Sequence, residues 1–166
     1  MLRITSPGNR LTSTTSTIAH SLRSIIFPIH NFVFALPIKA VFKIIPCPPI
    51  DSPIEDCIGL VEWEGKALAI VDLSQKFRSD PFEANTNQYQ KGFLILTQTN
   101  ESGLCGFFTQ ESPTLMDIPQ DDIHPLPQSY REVNQLGFVS HMALLTNEDT
   151  QQALKIFLLG VDPKAI

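Results

Sequence analysis

Residues Cys57 to Leu73, CIGLVEWEGKALAIVDL, constrain the fold more than any other stretch of this chain. Two apolar runs flank one tight turn at Glu64-Gly65-Lys66. Ile58, Leu60 and Val61 surround Gly59 before it, and Leu68, Ala69, Ile70 and Val71, bounded by Asp72, follow it. Both runs have strand length and are too short for independent helices, so the stretch reads as a buried β-hairpin around which a core forms. Gly65 can take the positive φ that a short hairpin loop demands, and Gly59 inside a strand points to a bulge or a close backbone approach. Trp63, beside the turn, reads as packing on that core, with a ligand platform as the alternative. The chain can supply such a core: 43% of its 166 residues are hydrophobic and 17% charged, the balance of a compact folded domain.

The remainder falls into similar pieces. Ile25 to Ile29 and Phe32 to Leu36 are strand runs joined by a His30-Asn31 turn, and Pro37 stops a central ladder from continuing. Ile38, Val41, Phe42 and Ile45 then recur at helix-like spacing, with Pro46 limiting any helix to one or two turns. Cys47 to Asp56 reads as an exposed proline-rich loop whose Asp51, Glu55 and Asp56 are solvated carboxylates, since no spacing fits a calcium loop. Ser74 to Gln90 is polar and contains the crossover between two lobes. Gly92 to Thr97 and Leu104 to Gln110 form a second hairpin about a turn at Asn100 to Gly103, and Ala153 to Val161 is a last strand-length apolar run. Residues 1–23, rich in Ser and Thr, read as a disordered or weakly ordered leader with a transit peptide as the alternative; deletion of about the first 20 is expected to leave the thermal midpoint nearly unchanged.

Several classes of chemistry lack their residues. The formal charge is −5, all acids begin at Asp51, and the early cations Arg3, Arg10, Arg23, Lys39 and Lys43 are too dispersed for a phosphate-binding stripe, so no nucleic-acid partner is expected. Cys47, Cys57 and Cys105 have no CxxC spacing and read as buried reduced thiols, which suits a cytoplasmic protein. His20, His30, His124 and His141 form no i, i+4 pair, so no metal is expected. No phosphate loop, G-x-S-x-G elbow or H-E-x-x-H is present, and neither a catalytic residue nor a cofactor is assigned. Ile25 to Val41, interrupted by His30, Asn31, Lys39 and two prolines, is too broken to insert in a membrane.

The hairpin GLVEWEGKALAIVDL resembles the signature hairpin of the CheW-like family, in which a Gly-led apolar strand meets an Arg-Gly turn and a strand ending in Val-Asp-Leu. Gly59, Gly65, Val71, Asp72 and Leu73 fit, while Glu64 stands where that family usually carries arginine. The opening is also similar: a strand, a tight turn, a second strand with an aromatic at Phe34, a hydrophobic-Pro-Ile step and Val41. LMDIPQDDIHPLP, from Leu115, and ALKIFLLGV, from Ala153, resemble later family segments. The resemblance covers Ser24 to Val161 and defines one domain over 24–162.

The fold it implies is all-β, two SH3-like five-stranded β-barrel subdomains with short helical turns, packed about a shared hydrophobic interface. The function it implies is a non-catalytic adaptor in chemotaxis-type signalling, cytoplasmic and at membrane-associated receptor arrays. There it would couple the cytoplasmic tip of a methyl-accepting chemoreceptor to a CheA-like histidine kinase. The resemblance places Leu36, Ile38, Val41 and Glu64 in an inter-lobe groove for the receptor tip. It places the stretch from Gly106 and Phe107 to Met116 on the lobe that meets the kinase. A small β-barrel ligand-binding or enzymatic protein, organelle-targeted, is the alternative. The anion at Glu64 implies either a basic residue on the partner or a groove that has lost its receptor role, and the retained Ile38 and Val41 favour the first.

Overall fold

A computed structural model describes residues 20–50, 54–77, 86–98, 103–133, 136 and 138–160. Residues 1–19, Asp51, Val161, most of the turn at 100–103 and residues 78–85 of the crossover lie outside that set. Eleven strands are described: β1 Ser21–Ile29, β2 Phe32–Pro37, β3 Val41–Pro46, β4 Ile58–Trp63, β5 Lys66–Val71, β6 Phe93–Gln98, β7 Leu104–Thr109, β8 Thr114–Pro119, β9 Ile123–Pro125, β10 Val139–Thr146 and β11 Ala153–Leu159. One short helix, α1 Gln128–Val133, and a few 3₁₀ turns join them.

The strands form two sheets, ordered β8-β1-β2-β11-β10-β9 and β3-β6-β7-β5-β4. Pairing is antiparallel except between β2 and β11 and between β5 and β7. The architecture is thus all-β, as expected. The first sheet has six strands rather than five because the three residues of β9 pair with β10. In the second, β3 and β4 are opposite edges, yet the Lys43 ammonium lies 5.8 Å from the centroid of the Trp63 ring. The sheet therefore curls until its edges approach, as in a small barrel.

The two-residue pleat explains why strands such as FLIL are apolar on both faces. On β1 and β2, Ile25, Phe27, Ile29, Phe34 and Leu36 enter a core between the sheets, while Leu22 and Ala35 turn into the curl of their own sheet. On β6 and β7, Ile95 and Phe107 belong to the inter-sheet core, while Leu94, Leu96 and Phe108 fill the second curl with Val61, Leu68 and Ile70. Three apolar clusters result, one inside each sheet and one shared.

Of the three expected hairpin turns, the two that lie wholly among the described residues form, the one at Glu64 a residue shorter than expected. Ile29 pairs with Phe32 across His30-Asn31, with His30 at φ 54°. Trp63 pairs with Lys66, which leaves Glu64-Gly65 as a two-residue loop at φ 51° and 75°. Gly59 marks no bulge, because the β4–β5 register runs unbroken through it; a Cβ there would lie 2.7 Å from Cγ1 of Ile54, so the glycine serves a close side-chain approach.

Two expectations need correction. Only Ile38–Ala40 forms a helical turn, and Val41–Pro46 is β3. Its spacing fits a helix, but Ile44 and Ile45 pair with Ile95 and Leu94, and the ladder prevails over local period. The hairpin is also not buried on both faces. Ile58 and Leu60 are 61% and 67% exposed on β4, an edge strand of the second sheet.

Candidate functional site

The shared core opens at one end into a cleft of about 290 Å³ between the sheets. Leu36 and Leu159 line it from the first sheet, Thr97, Gln98 and Phe107 from the second, with Ala40, Phe138 and Gly160 completing the wall. Leu36 reaches it because Pro37 ends β2 there. Phe107 reaches it because odd-numbered residues of β7 face the first sheet. Ile38, 41% exposed, and half-buried Val41 flank Ala40 in the chain, and Val41 packs on the inter-sheet core. Leu36 and Phe107 therefore meet at one cleft, whereas of the Ile38–Val41 segment only Ala40 lines it.

Glu64 does not line that cleft. It lies in an adjoining recess of about 570 Å³ formed with Phe42, Trp63, Lys66, Ala67, Gln98, Gly103 and Leu104. Gln98 lines both, so the two are neighbours. Among the described residues Glu64 makes no ion pair; the salt bridge present, Arg23 to Asp117 at 2.9 Å, lies across β1 and β8. That contact holds the exposed Asp117 carboxyl below its ordinary range through the Arg23 hydrogen bond and charge.

Gly106 and Phe107 point to opposite faces. Gly106 is buried on β7 toward the second sheet's own core, where a Cβ would lie 3.1 Å from Cδ2 of Leu96. It gives space to its neighbours and offers a partner no side chain. The stretch 106–116 also crosses between sheets, β7 belonging to the second and β8 to the first.

Sequence reasoning missed Phe42, Ile58 and Leu60. Phe42 stands at the register shift between Val41 and Lys43, and this bulge leaves its ring 59% exposed. Ile58 and Leu60 share their face with Glu62, and Leu60 lies opposite Ala69, so an apolar strip runs along the β4 edge. The signal was available: an acid at 62, in step with 58 and 60, marks a face that meets water.

Buried polar groups are structural. The Asp72 carboxylate accepts bonds from the Ser74 amide at 3.1 Å, the Ser74 hydroxyl at 2.5 Å and the Tyr89 hydroxyl at 2.6 Å. Gln75 donates to Tyr89 and to the Ile54 carbonyl and accepts from the Cys57 amide. This network ties the end of β5 to the segments on either side and satisfies a carboxylate that would otherwise be costly to bury. Burial pushes the Cys47 thiol up to about 11 and also raises Cys57 and Cys105, so all three stay protonated and unreactive at neutral pH. Among the described residues no group of three or more His, Cys, Asp or Glu is placed to hold a metal, and no helix is long and apolar enough to cross a membrane.

Comparison with known proteins bears on the same residues. A family model described as CheW-like domain matches residues 23–163. The crystal structure of the scaffolding protein TtCheW from Thermoanaerobacter tengcongensis is similar in fold, with a TM-score of 0.62 over 85% of each chain at 16% identity. A search of the curated proteins finds no match.

Proposed function

This chain belongs to the CheW-like domain family, and on that premise we propose that it is a non-catalytic adaptor which joins the cytoplasmic tip of a chemoreceptor to a CheA-like histidine kinase. The observation that carries the reading is the family match across nearly all the described residues. A scaffold needs separate surfaces rather than a reaction centre, and the molecule offers two. One is the inter-sheet cleft lined by Leu36, Ala40 and Phe107, with Ile38 and Val41 beside Ala40 in the chain, continued by the recess at Glu64. Phe107 thereby moves from the kinase side to the receptor side, and the cleft's size and apolar walls suit side chains of a helical tip. The other is the exposed edge of β4, with Ile58 and Leu60, which suits a second apolar partner surface and is assigned to the kinase. Gly106 offers no contact to either partner and leaves room for the Leu94 and Leu96 side chains in the second sheet's core. The protein would act in the cytoplasm, at receptor arrays.

The test is co-purification of the full-length protein with a CheA-like kinase and a receptor-tip fragment, singly and together. A ternary complex is expected. Ile38→Asp should release the receptor fragment alone, and Leu60→Lys the kinase alone. Retention of neither partner by the unaltered protein would sink the adaptor reading.

A further inference from the structure

Two backbone irregularities on strands that are not neighbours in the sheet deliver exposed side chains to one recess. The β3 bulge turns Phe42 outward, and the Glu64-Gly65 loop holds Glu64 at φ 51°, a left-handed conformation that glycine or asparagine adopts with less strain. Strained positions of this kind persist where the surrounding structure imposes them, and they point to a use for the side chain. The recess between them has an aromatic and aliphatic wall, Phe42, Trp63 and Leu104, and a carboxylate at its mouth with no ion-pair partner among the described residues. One face of Trp63 already holds the Lys43 ammonium. Lys66 also lines the recess, but it is exposed and its long stem lets the charge swing into water.

We propose that this recess is a cation-accepting subsite that selects an arginine or lysine side chain on the docked partner, with the aliphatic stem against Phe42 and Leu104 and the charged head at Glu64. The inference rests on the adaptor reading above and specifies the chemistry of its receptor-facing side. The Glu64 carboxylate, which has no ion-pair partner among the described residues although Lys66 and Lys43 are nearby, and continuity with the inter-sheet cleft through Gln98 favour this occupant.

Trp63 is the single tryptophan of the chain and lines the recess, so its emission reports occupancy directly. The full-length protein would be titrated with a helical-hairpin peptide of a receptor tip and with versions in which each exposed acidic residue is replaced in turn by arginine. One arginine version should bind about tenfold tighter than its acidic parent with a shift in Trp63 emission, Glu64→Gln should erase that preference, and Phe42→Ala should weaken it several-fold. Equal or tighter binding of the acidic parent, through Lys66, would overturn the proposal, as would a preference that survives Glu64→Gln. Failure of every peptide to bind would remove the receptor reading with it, whereas binding without preference removes only the subsite.

Discussion

Glu64 occupies a backbone position that costs the fold, whatever its side chain binds. Its left-handed φ disfavours any side chain with a Cβ except asparagine and aspartate, so Glu64→Asn should stabilise the protein by about 1 kcal/mol, read as a higher urea midpoint, while it shortens the carboxylate's reach to an amide. Gly65→Ala should cost about 1–2 kcal/mol through backbone strain alone, since a Cβ there meets nothing within 4 Å. Trp63 is only half-buried against the second core, so Trp63→Ala should cost about 2 kcal/mol rather than the loss expected of a fully enclosed ring. Cys47 gives a pH dependence of known sign. Its thiol titrates near 9.0 when unfolded and about 11 in the folded protein, so above 9 the unfolded chain sheds a proton that the native chain keeps. Stability should fall as pH rises through that window, and the fall should be shallower in Cys47→Ala when denaturation midpoints are compared.

At the scale of elements, β4 separates a packed face from an exposed one within one strand. Val61 faces the second core and Leu60 faces solvent, so Val61→Ala should cost about 2 kcal/mol while Leu60→Lys should leave stability within about 0.5 kcal/mol in the same urea titration. The His30-Asn31 turn was legible from local chemistry alone and proved to be a two-residue loop, whereas the turn read as Glu64-Gly65-Lys66 is one residue shorter, because Lys66 already pairs with Trp63 as the first residue of β5. Strand β3 was not legible, because Ile38, Val41, Phe42 and Ile45 satisfy a helical period by coincidence and the deciding partner, β6, lies some fifty residues away. Exposure of Ile58 and Leu60 was hidden for a related reason. An apolar strand reads the same at a sheet's centre and at its edge, and only strand order distinguishes them. Leu36 and Phe107 line the inter-sheet cleft, but the recess at Glu64 depends on the β3 bulge that brings in Phe42, a feature with no local signature.

Across the whole molecule, the shared core decides whether the two sheets are one folding unit. Phe34 is fully buried between them, with its ring centroid 6.1 Å from Phe27, Phe32 and Phe157 and 5.9 Å from Phe138. Ile95 of β6 joins the same cluster from the other sheet, so neither sheet can lose its partner without exposing aromatic surface. Phe34→Ala should therefore cost about 3–5 kcal/mol, a large share of the 5–15 kcal/mol typical of a domain. The location of the loss should be as informative as its size. Trp63 fluorescence follows the second sheet, whereas Phe34 belongs to the first, so a shared core predicts that truncating Phe34 lowers the midpoint seen by Trp63 as much as the midpoint seen by far-UV circular dichroism. An unchanged Trp63 transition beside a displaced dichroism curve would show that the sheets unfold independently. Coincident displacement would mean that the cleft walls, built from Leu36 and Leu159 on one sheet and Thr97 and Phe107 on the other, are held at a fixed separation by the same residues that hold the protein together.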